Sequence, residues 1–139
     1  MRDPHYSFTV RRAISEGNAG VTLILNGDLE AEPGQFVMVW LPGVEERPIA
    51  VVSERPLTIS VQVVGPFTRA LASCQAGDRL WVRGPYGHGF ALRGRRHLLI
   101  GGGSGVASLA LLAQRALARG DEVRTALGAR PADSLLLAW

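Results

Sequence analysis

The chain has 139 residues, 47% of them hydrophobic, which is long enough for one hydrophobic core or for a small domain followed by the start of a second. Its formal net charge is only +3, yet its isoelectric point is near 10.0. All 15 basic residues are arginines, so a small arginine excess raises the isoelectric point sharply. The arginines are dispersed apart from Arg93, Arg95 and Arg96, and this dispersion argues against a nucleic-acid partner.

Hydropathy and cysteine content narrow the class of protein further. No apolar run approaches the roughly 20 residues that a membrane helix needs, so we expect no membrane partner. The N-terminal residues lack the apolar segment of a signal peptide, which favours a cytoplasmic location. With Cys74 as its one cysteine, the chain has no internal disulfide and supplies no ligand set for a [2Fe–2S] cluster.

Up to residue 90 the sequence is typical of β structure. Residues 8–10 and 21–25 alternate between apolar and polar side chains with a period of two, as a half-buried strand does. Pro33-Gly34 introduces a further strand over 35–41. Its apolar residues fall on both faces, so we expect both faces to be covered.

The alternation continues beyond this strand. Residues 57–63 alternate strictly, 68–74 predict one or two helical turns, and the turn Gly77-Asp78 leads into a last strand over 79–83. About six short strands at roughly ten-residue spacing predict a closed six-stranded antiparallel β-barrel, with a sandwich as the alternative.

The pattern changes at residue 97. A short apolar run, 97–100, is followed by the glycine turn 101–105, a helical apolar face and a second strand over 122–127. This order predicts the opening of a parallel α/β unit. Because two parallel strands cannot cover both faces of a sheet, we expect an incomplete nucleotide-binding unit. The predicted domains are therefore 1–96 and 97–139, and we expect uncovered apolar helix surface, including Leu109 and Leu112, to favour self-association into a homo-oligomer.

The glycine turn is the first candidate site. Glycines after a strand let the amino end of a helix approach a phosphate, because backbone N–H groups and the helix dipole both favour an anion. Gly101, Gly102, Gly103 and Gly105 are therefore candidate nucleotide contacts. The alternative is a tight turn in which small residues serve packing alone.

Two further segments combine a charge or hydroxyl with a turn. Arg47 precedes the rigid Pro48, so its guanidinium is suited to a diphosphate while the backbone of Ile49 and Ala50 lines a flat ring. The segment is expected to open a strand, and an exposed arginine at the start of that strand is the simpler interpretation. The turn 65–68 offers free amides and a helix N-cap hydroxyl, which suit a phosphate, or it is only a capped helix start.

The sequence contains no recognisable catalytic set. His5, His88 and His97 lack the spacing of metal ligands, and no serine lies in a nucleophile motif. A protein that has candidate binding segments for a flat ring and for phosphates, but no acid–base residues, usually works through a cofactor.

Taken in order, these segments resemble the ferredoxin-reductase-like superfamily, and within it the electron transfer subunits of dihydroorotate dehydrogenase and the related sulfide dehydrogenase and hydrogenase subunits. The resemblance covers nearly the whole chain and is specific at superfamily level, because the motifs share their order and spacing with that family. They are PGQFVMVWLPG (33–43), RPIA (47–50), VVGPFT (63–68), GDRLWVRGPYGHGF (77–90), LLIGGGSGVASL (98–109) and LGARPADSLL (127–136).

The resemblance implies that the barrel binds FAD and that the glycine turn faces NAD(P)H. Electrons would pass from the nicotinamide through FAD to a [2Fe–2S] cluster and on to a catalytic dehydrogenase subunit, as in pyrimidine biosynthesis. The residues implied as FAD contacts are Arg47, Pro48, Ile49 and Ala50, then Ser60, Val61 and Gln62 beside the ring, and Phe67 and Thr68 at a phosphate.

Three features depart from the family pattern. Ala50 occupies the position of a serine that the family places near the reactive flavin nitrogen, and Ser108 stands where a proline is usual. The remaining strands of the nucleotide domain and the cysteine cluster are absent, so the chain is expected to be C-terminally truncated. The principal hypothesis is an electron-transfer subunit, and the alternative is a catalytically incomplete barrel that docks a partner.

Overall fold

The barrel predicted from the sequence is present in the computed structural model, which describes residues 4–129 and Leu137. Its six antiparallel strands close in the order β1-β2-β5-β4-β3-β6, and β6 pairs with β1 to complete the ring. The strands are β1 (Tyr6–Ser15), β2 (Val21–Leu25), β3 (Phe36–Leu41), β4 (Glu45–Glu54), β5 (Leu57–Val61) and β6 (Arg79–Tyr86).

The core fills the inside of this barrel with aliphatic side chains from every strand. Leu25, Leu57 and Leu80 are fully buried, as the period of two along their strands predicts. Strand β5 is buried on both faces, unlike the half-exposed strand that its alternation predicts. Its Ser60 hydroxyl is hydrogen-bonded to that of Thr22 at 2.6 Å, which offsets the cost of burying the two polar groups.

Strand β3 differs from the prediction that both its faces are covered. Val37 and Val39 point into the core, but Trp40 lies on the outer face of the barrel with 38% of its surface exposed. Trp40 packs there against Trp81 of β6, with ring centroids 5.6 Å apart. The apolar residues on the outer face therefore form cross-strand aromatic pairs, which stabilise a sheet without a covering layer.

A short helix, α1 (Pro66–Ala72), crosses from β5 toward β6. It begins two residues earlier than predicted, because a proline suits the first turn of a helix. Phe67 and Leu71 are the buried residues of α1 and join the barrel core.

The α/β unit expected after residue 96 is also present. It consists of β7 (Arg96–Gly102), α2 (Gly105–Ala118) and β8 (Glu122–Gly128), and its two strands pair in parallel. The predicted fold, a six-stranded barrel followed by an α/β unit, is confirmed. The predicted segment 97–139 is described only as far as residue 129 and at Leu137.

Helix α2 is held on the barrel by polar contacts as well as by packing. The Gln114 side chain donates to the Val52 carbonyl at 2.9 Å, and Arg115 donates to the Ala31 carbonyl and to Glu54 Oε1, each at 2.9 Å. Leu111 of α2 packs within the barrel core. The division of the chain at residues 96 and 97 stays a prediction.

The uncovered apolar surface of α2 differs in its residues from the prediction. Leu112 is buried with 7% exposure, because the apolar face of α2 packs against β4 and β7, and Leu109 is half-buried. On α2 it is Leu117 that is exposed, at 60%, and β7 adds Leu98 and Ile100, which are 65% and 71% exposed. Among residues 4–129, no helix has the length and hydropathy needed to cross a membrane.

An ion cluster joins β4, β6 and the residue before β1 on the outer face of the barrel. Arg83 Nε donates to Glu46 Oε2 at 2.9 Å and Arg83 Nη2 to Glu46 Oε1 at 2.5 Å, while His5 Nε2 lies 2.7 Å from Glu46 Oε2. The hydrogen bonds from Arg83 and then His5 lower the pKa of Glu46 from 4.5 to about 2.

We predict that Glu46→Gln lowers the free energy of unfolding by about 1 kcal/mol at pH 7, because a charge-assisted pair becomes a neutral one. The carboxylate stabilises the fold fully above pH 4.5, and this contribution is lost as the pH falls toward 2. Urea unfolding of both proteins at pH 7 and pH 2.5 measures the difference. An equal difference at both pH values would contradict the prediction.

Candidate functional site

A continuous groove runs over the barrel where β4, β5, α1 and α2 meet. It consists of two adjoining hollows, which we call the outer cleft (about 410 Å³) and the inner cleft (about 290 Å³). Both are lined by Pro48, Ile49, Val64 and Thr68, so the two form one site. The outer cleft continues with Glu45, Arg47, Gly65, Pro66 and Phe67, and the inner cleft with Ala50, Ser60, Val61, Gln62, Ser104, Ala107 and Ser108.

Arg47 stands at the rim of the outer cleft. It lies inside β4, opposite Val39 of β3, and not at the start of a strand as its sequence context suggests. Its Nε donates to Glu45 Oε2, and this neighbouring carboxylate raises the pKa of the guanidinium. With its side chain 59% exposed, Arg47 remains charged and accessible to a ligand in the cleft.

The start of α1 forms the far end of the outer cleft. Gly65 is the N-cap, and Thr68 is the third helical residue, so the predicted N-cap role of Thr68 is wrong. The Thr68 hydroxyl accepts the amides of Val64 at 2.8 Å and Gly65 at 3.0 Å. The amides of Phe67 and Thr68 have no acceptor among residues 4–129, so they are the donors available to an anion.

Most of the inner cleft is apolar. Pro48, Ile49 and Ala50 of β4 and Val61 of β5 form its barrel side, while Ala107 belongs to α2. The Ser60 hydroxyl is bonded to Thr22, so it is already occupied. A groove with apolar walls and few polar groups suits a flat aromatic ligand, whose faces are apolar and whose edges are polar.

The glycine turn borders a third hollow, the turn cleft (about 540 Å³), which is lined by Gln62, Gly102, Gly103, Ser104, Gly128 and Ala129. Gly103 has a φ of +56°, a backbone conformation that favours glycine. The amides of Ser104 and Gly105 at the start of α2 have no acceptor among residues 4–129. Gln62 and Ser104 line both the turn cleft and the inner cleft and therefore join them.

The structure brings the sequence-predicted residues together at this groove, except for two glycines. Gly101 and Gly105 line none of the three clefts. A Cβ at Gly101 would lie 3.0 Å from Leu109 Cδ1 and 3.3 Å from Val106 Cα, so this glycine allows α2 to pack closely on β7. The contacts around Gly101 are those that the packing interpretation expects, while Gly102 and Gly103 border the turn cleft.

Several lining residues were missed by sequence reasoning. The predicted strand 57–63 ends at Val61 in the structure, and Val64, just beyond the predicted strand, is 80% exposed and lines the cleft. The sequence identifies Ser108 as a departure from the family pattern and does not predict it as a site residue. Its position one helical turn after Ser104 is the signal that places both serines on one side of α2.

The residues present fit the isoalloxazine and diphosphate of FAD. The apolar inner cleft suits a ring system, and the cationic Arg47 and the free amides at the start of α1 suit phosphates. Among the described residues, no three His, Cys, Asp or Glu side chains lie close enough together to hold a metal ion.

Comparison with solved structures defines the class. The fold matches an NADH-dependent reduced ferredoxin–NADP oxidoreductase with a TM-score of 0.83 and 28% identity, over 94% of this chain and 51% of the other. It matches the ferredoxin reductase of carbazole 1,9a-dioxygenase with a TM-score of 0.80 and 26% identity, over 97% and 46%. The chain therefore has the ferredoxin-reductase-like FAD-binding fold.

Sequence comparison is more specific. The chain is 46% identical to the probable dihydroorotate dehydrogenase B (NAD(+)) electron transfer subunit of Thermococcus kodakarensis, over 81% of this chain and 47% of the relative. It is 44% identical to the corresponding subunit of Methanothermobacter thermautotrophicus, over 91% and 50%. No protein-family profile matches the chain. The chain is thus similar to the dihydroorotate dehydrogenase B electron transfer subunits, and it spans about half their length.

We predict that Gly101→Ala lowers the free energy of unfolding by about 1–3 kcal/mol, because the new methyl group would press on α2 at Val106 and Leu109. Gly105→Ala is the matched control, since nothing lies within 4 Å of a Cβ there. Thermal or urea unfolding of the two variants tests the difference. Equal stability of both would show that α2 is not in close contact with β7 at Gly101.

Proposed function

We propose that this chain binds FAD in the outer and inner clefts and acts as the flavin-binding part of an electron-transfer protein. The observation that carries the proposal is the continuity of the groove. One cationic side chain, free helix-start amides and an apolar ring-sized hollow adjoin along it, and the turn cleft follows. The names of the relatives, electron transfer subunits, agree with this activity.

Each part of the groove has a role in this proposal. Arg47 and the amides of Phe67 and Thr68 bind the diphosphate, whereas the Phe67 side chain is only 3% exposed and serves the core. Pro48, Ile49 and Ala50 pack along one side of the ring, and Val61 and Gln62 lie beside it. FAD, when bound, takes up electrons from a reduced nicotinamide and passes them on singly or in pairs.

NAD(P)H is proposed to approach from the turn cleft. Gly102 and Gly103 leave space there, and the free amides of Ser104 and Gly105 point an electropositive helix end toward an anion. Gln62 and Ser104 would then lie between the nucleotide and the flavin. The proposed partner is a catalytic dehydrogenase subunit, by analogy with the named relatives. The cytoplasmic location expected from the sequence stays a prediction.

A partner-docking barrel without electron transfer is the second candidate. The exposed apolar residues Leu98 and Ile100 on β7 favour it, because surfaces of this kind are usually buried against other protein. The two candidates differ in the use of the groove. A docking module has no need for a ring-sized cleft that carries an accessible arginine.

We predict that the purified protein contains FAD or takes it up when FAD is added, because the groove supplies both ring and phosphate contacts. Heating the protein and measuring flavin fluorescence in the supernatant tests the first alternative, and titration with FAD tests the second. Addition of NADH to the loaded protein then reports electron transfer by bleaching of the flavin absorbance. A protein that neither holds nor takes up FAD would leave the docking module as the better candidate.

We predict that Arg47→Ala weakens FAD binding about ten- to hundredfold, because a charge-assisted contact to diphosphate contributes roughly 1.5–3 kcal/mol. Arg124→Ala is a matched control, since Arg124 also pairs with a glutamate two residues earlier, Glu122, and lies on β8 outside the clefts. Fluorescence titration of each variant gives the dissociation constants. Equal constants for both variants would show that Arg47 is only a surface residue.

A further inference from the structure

The hydrogen-bonding groups of the inner cleft are unevenly distributed. On the barrel side, Ala50, Ile49 and Val61 carry no polar side-chain atom. The hydroxyls of Ser60 and Thr68 are on this side as well, but Thr22 and the amides of Val64 and Gly65 occupy them. A ligand in the inner cleft must therefore find most of its side-chain hydrogen bonds elsewhere.

The free hydroxyls lie on α2. Neither Ser104 nor Ser108 has a side-chain hydrogen-bond partner among residues 4–129. A serine inside a helix commonly donates to the carbonyl four residues earlier, and Ser73 at the end of α1 does so to Arg69 at 3.0 Å. The half-buried Ser108 makes no such bond, so its hydroxyl is available to the cleft.

Position distinguishes Ser108 from the other polar residues of the cleft. Gln62 and the exposed Ser104 also border the turn cleft, so a second ligand would compete for them. Ser108 borders the inner cleft alone and faces it from α2, whose attachment to the barrel fixes its position. Among the described residues, Ser108 is thus the one whose unbonded hydroxyl lines the inner cleft and not the turn cleft.

We propose that the Ser108 hydroxyl donates a hydrogen bond to the polar edge of the flavin ring and so raises the affinity of the site for the reduced flavin. The proposal deepens the proposed function and rests on it. Reduction adds electron density to the ring nitrogens and oxygens, so a donor at that edge binds the reduced form more strongly than the oxidised form. In a cleft with apolar walls, this difference is larger than in water.

The test compares the FAD-loaded protein with three variants at one position. Ser108→Thr keeps the hydroxyl, and Ser108→Val has the shape of the threonine variant without a hydroxyl. Ser108→Ala removes the hydroxyl with little change in volume. We expect Ser108→Ala and Ser108→Val to weaken binding of reduced FAD about two- to tenfold relative to oxidised FAD. The midpoint potential of the bound flavin becomes more negative accordingly, while Ser108→Thr stays close to the parent protein.

Potentials measured by redox titration of the visible spectrum give the result without an assay of turnover. Ser7→Ala, an exposed serine on β1 away from the clefts, is the control and leaves the potential unchanged. Equal potentials for Ser108→Thr and Ser108→Val, in proteins that bind FAD, would overturn the role of Ser108 and leave the proposed function intact. A parent protein that binds no FAD would overturn both.

Discussion

The attachment of α2 to strand β4 is the contact on which the site depends. Arg115 joins the Ala31 carbonyl and Glu54, and Gln114 reaches the Val52 carbonyl, so one helix is fixed on two segments of the barrel. Glu54 itself accepts the Ala31 amide at 2.9 Å, and this bond, followed by Arg115, lowers the pKa of its carboxyl group. Together with the packing of Leu111, these contacts hold the α2 side of the inner cleft against its barrel side.

Contacts of this kind use the geometry of the arginine side chain. Some guanidiniums make several bonds at once: Arg83 bonds to both oxygens of Glu46, Arg115 to a carbonyl and a carboxylate, and Arg119 to the carbonyls of Leu92 and Gly94. A lysine has three donors on one atom and lacks the planar fork that such geometry requires. Several of the arginines that raise the isoelectric point therefore have structural roles.

The sequence predicts the topology well because the relevant signals are local. Alternation with a period of two, glycine and proline turns and the change to helical spacing together define the barrel and the α/β unit. The predictions fail where tertiary contacts decide the outcome. The start of α1 is an exception, because Pro66 is a local signal for a helix start that the prediction did not use. Leu112, in contrast, is buried because α2 packs on the barrel, and the residues beside it in the sequence do not indicate that contact. For the same reason the sequence identifies the β4 and glycine-turn segments of the site but not Val64 or Ser108.

Gln62 has a consequence for how the clefts act together. Gln62 borders the inner and the turn clefts. A Cβ added at Gly103 would lie 3.5 Å from Gln62 Nε2, so the side chain lies close to the glycine turn. A ligand in one cleft that fixes the Gln62 rotamer thereby alters the wall of the other. Thermodynamic linkage requires such an effect to be reciprocal, so each ligand changes the affinity of the other by the same factor. A single side chain is thus sufficient to make occupancy of the two clefts cooperative or antagonistic, without any movement of the barrel.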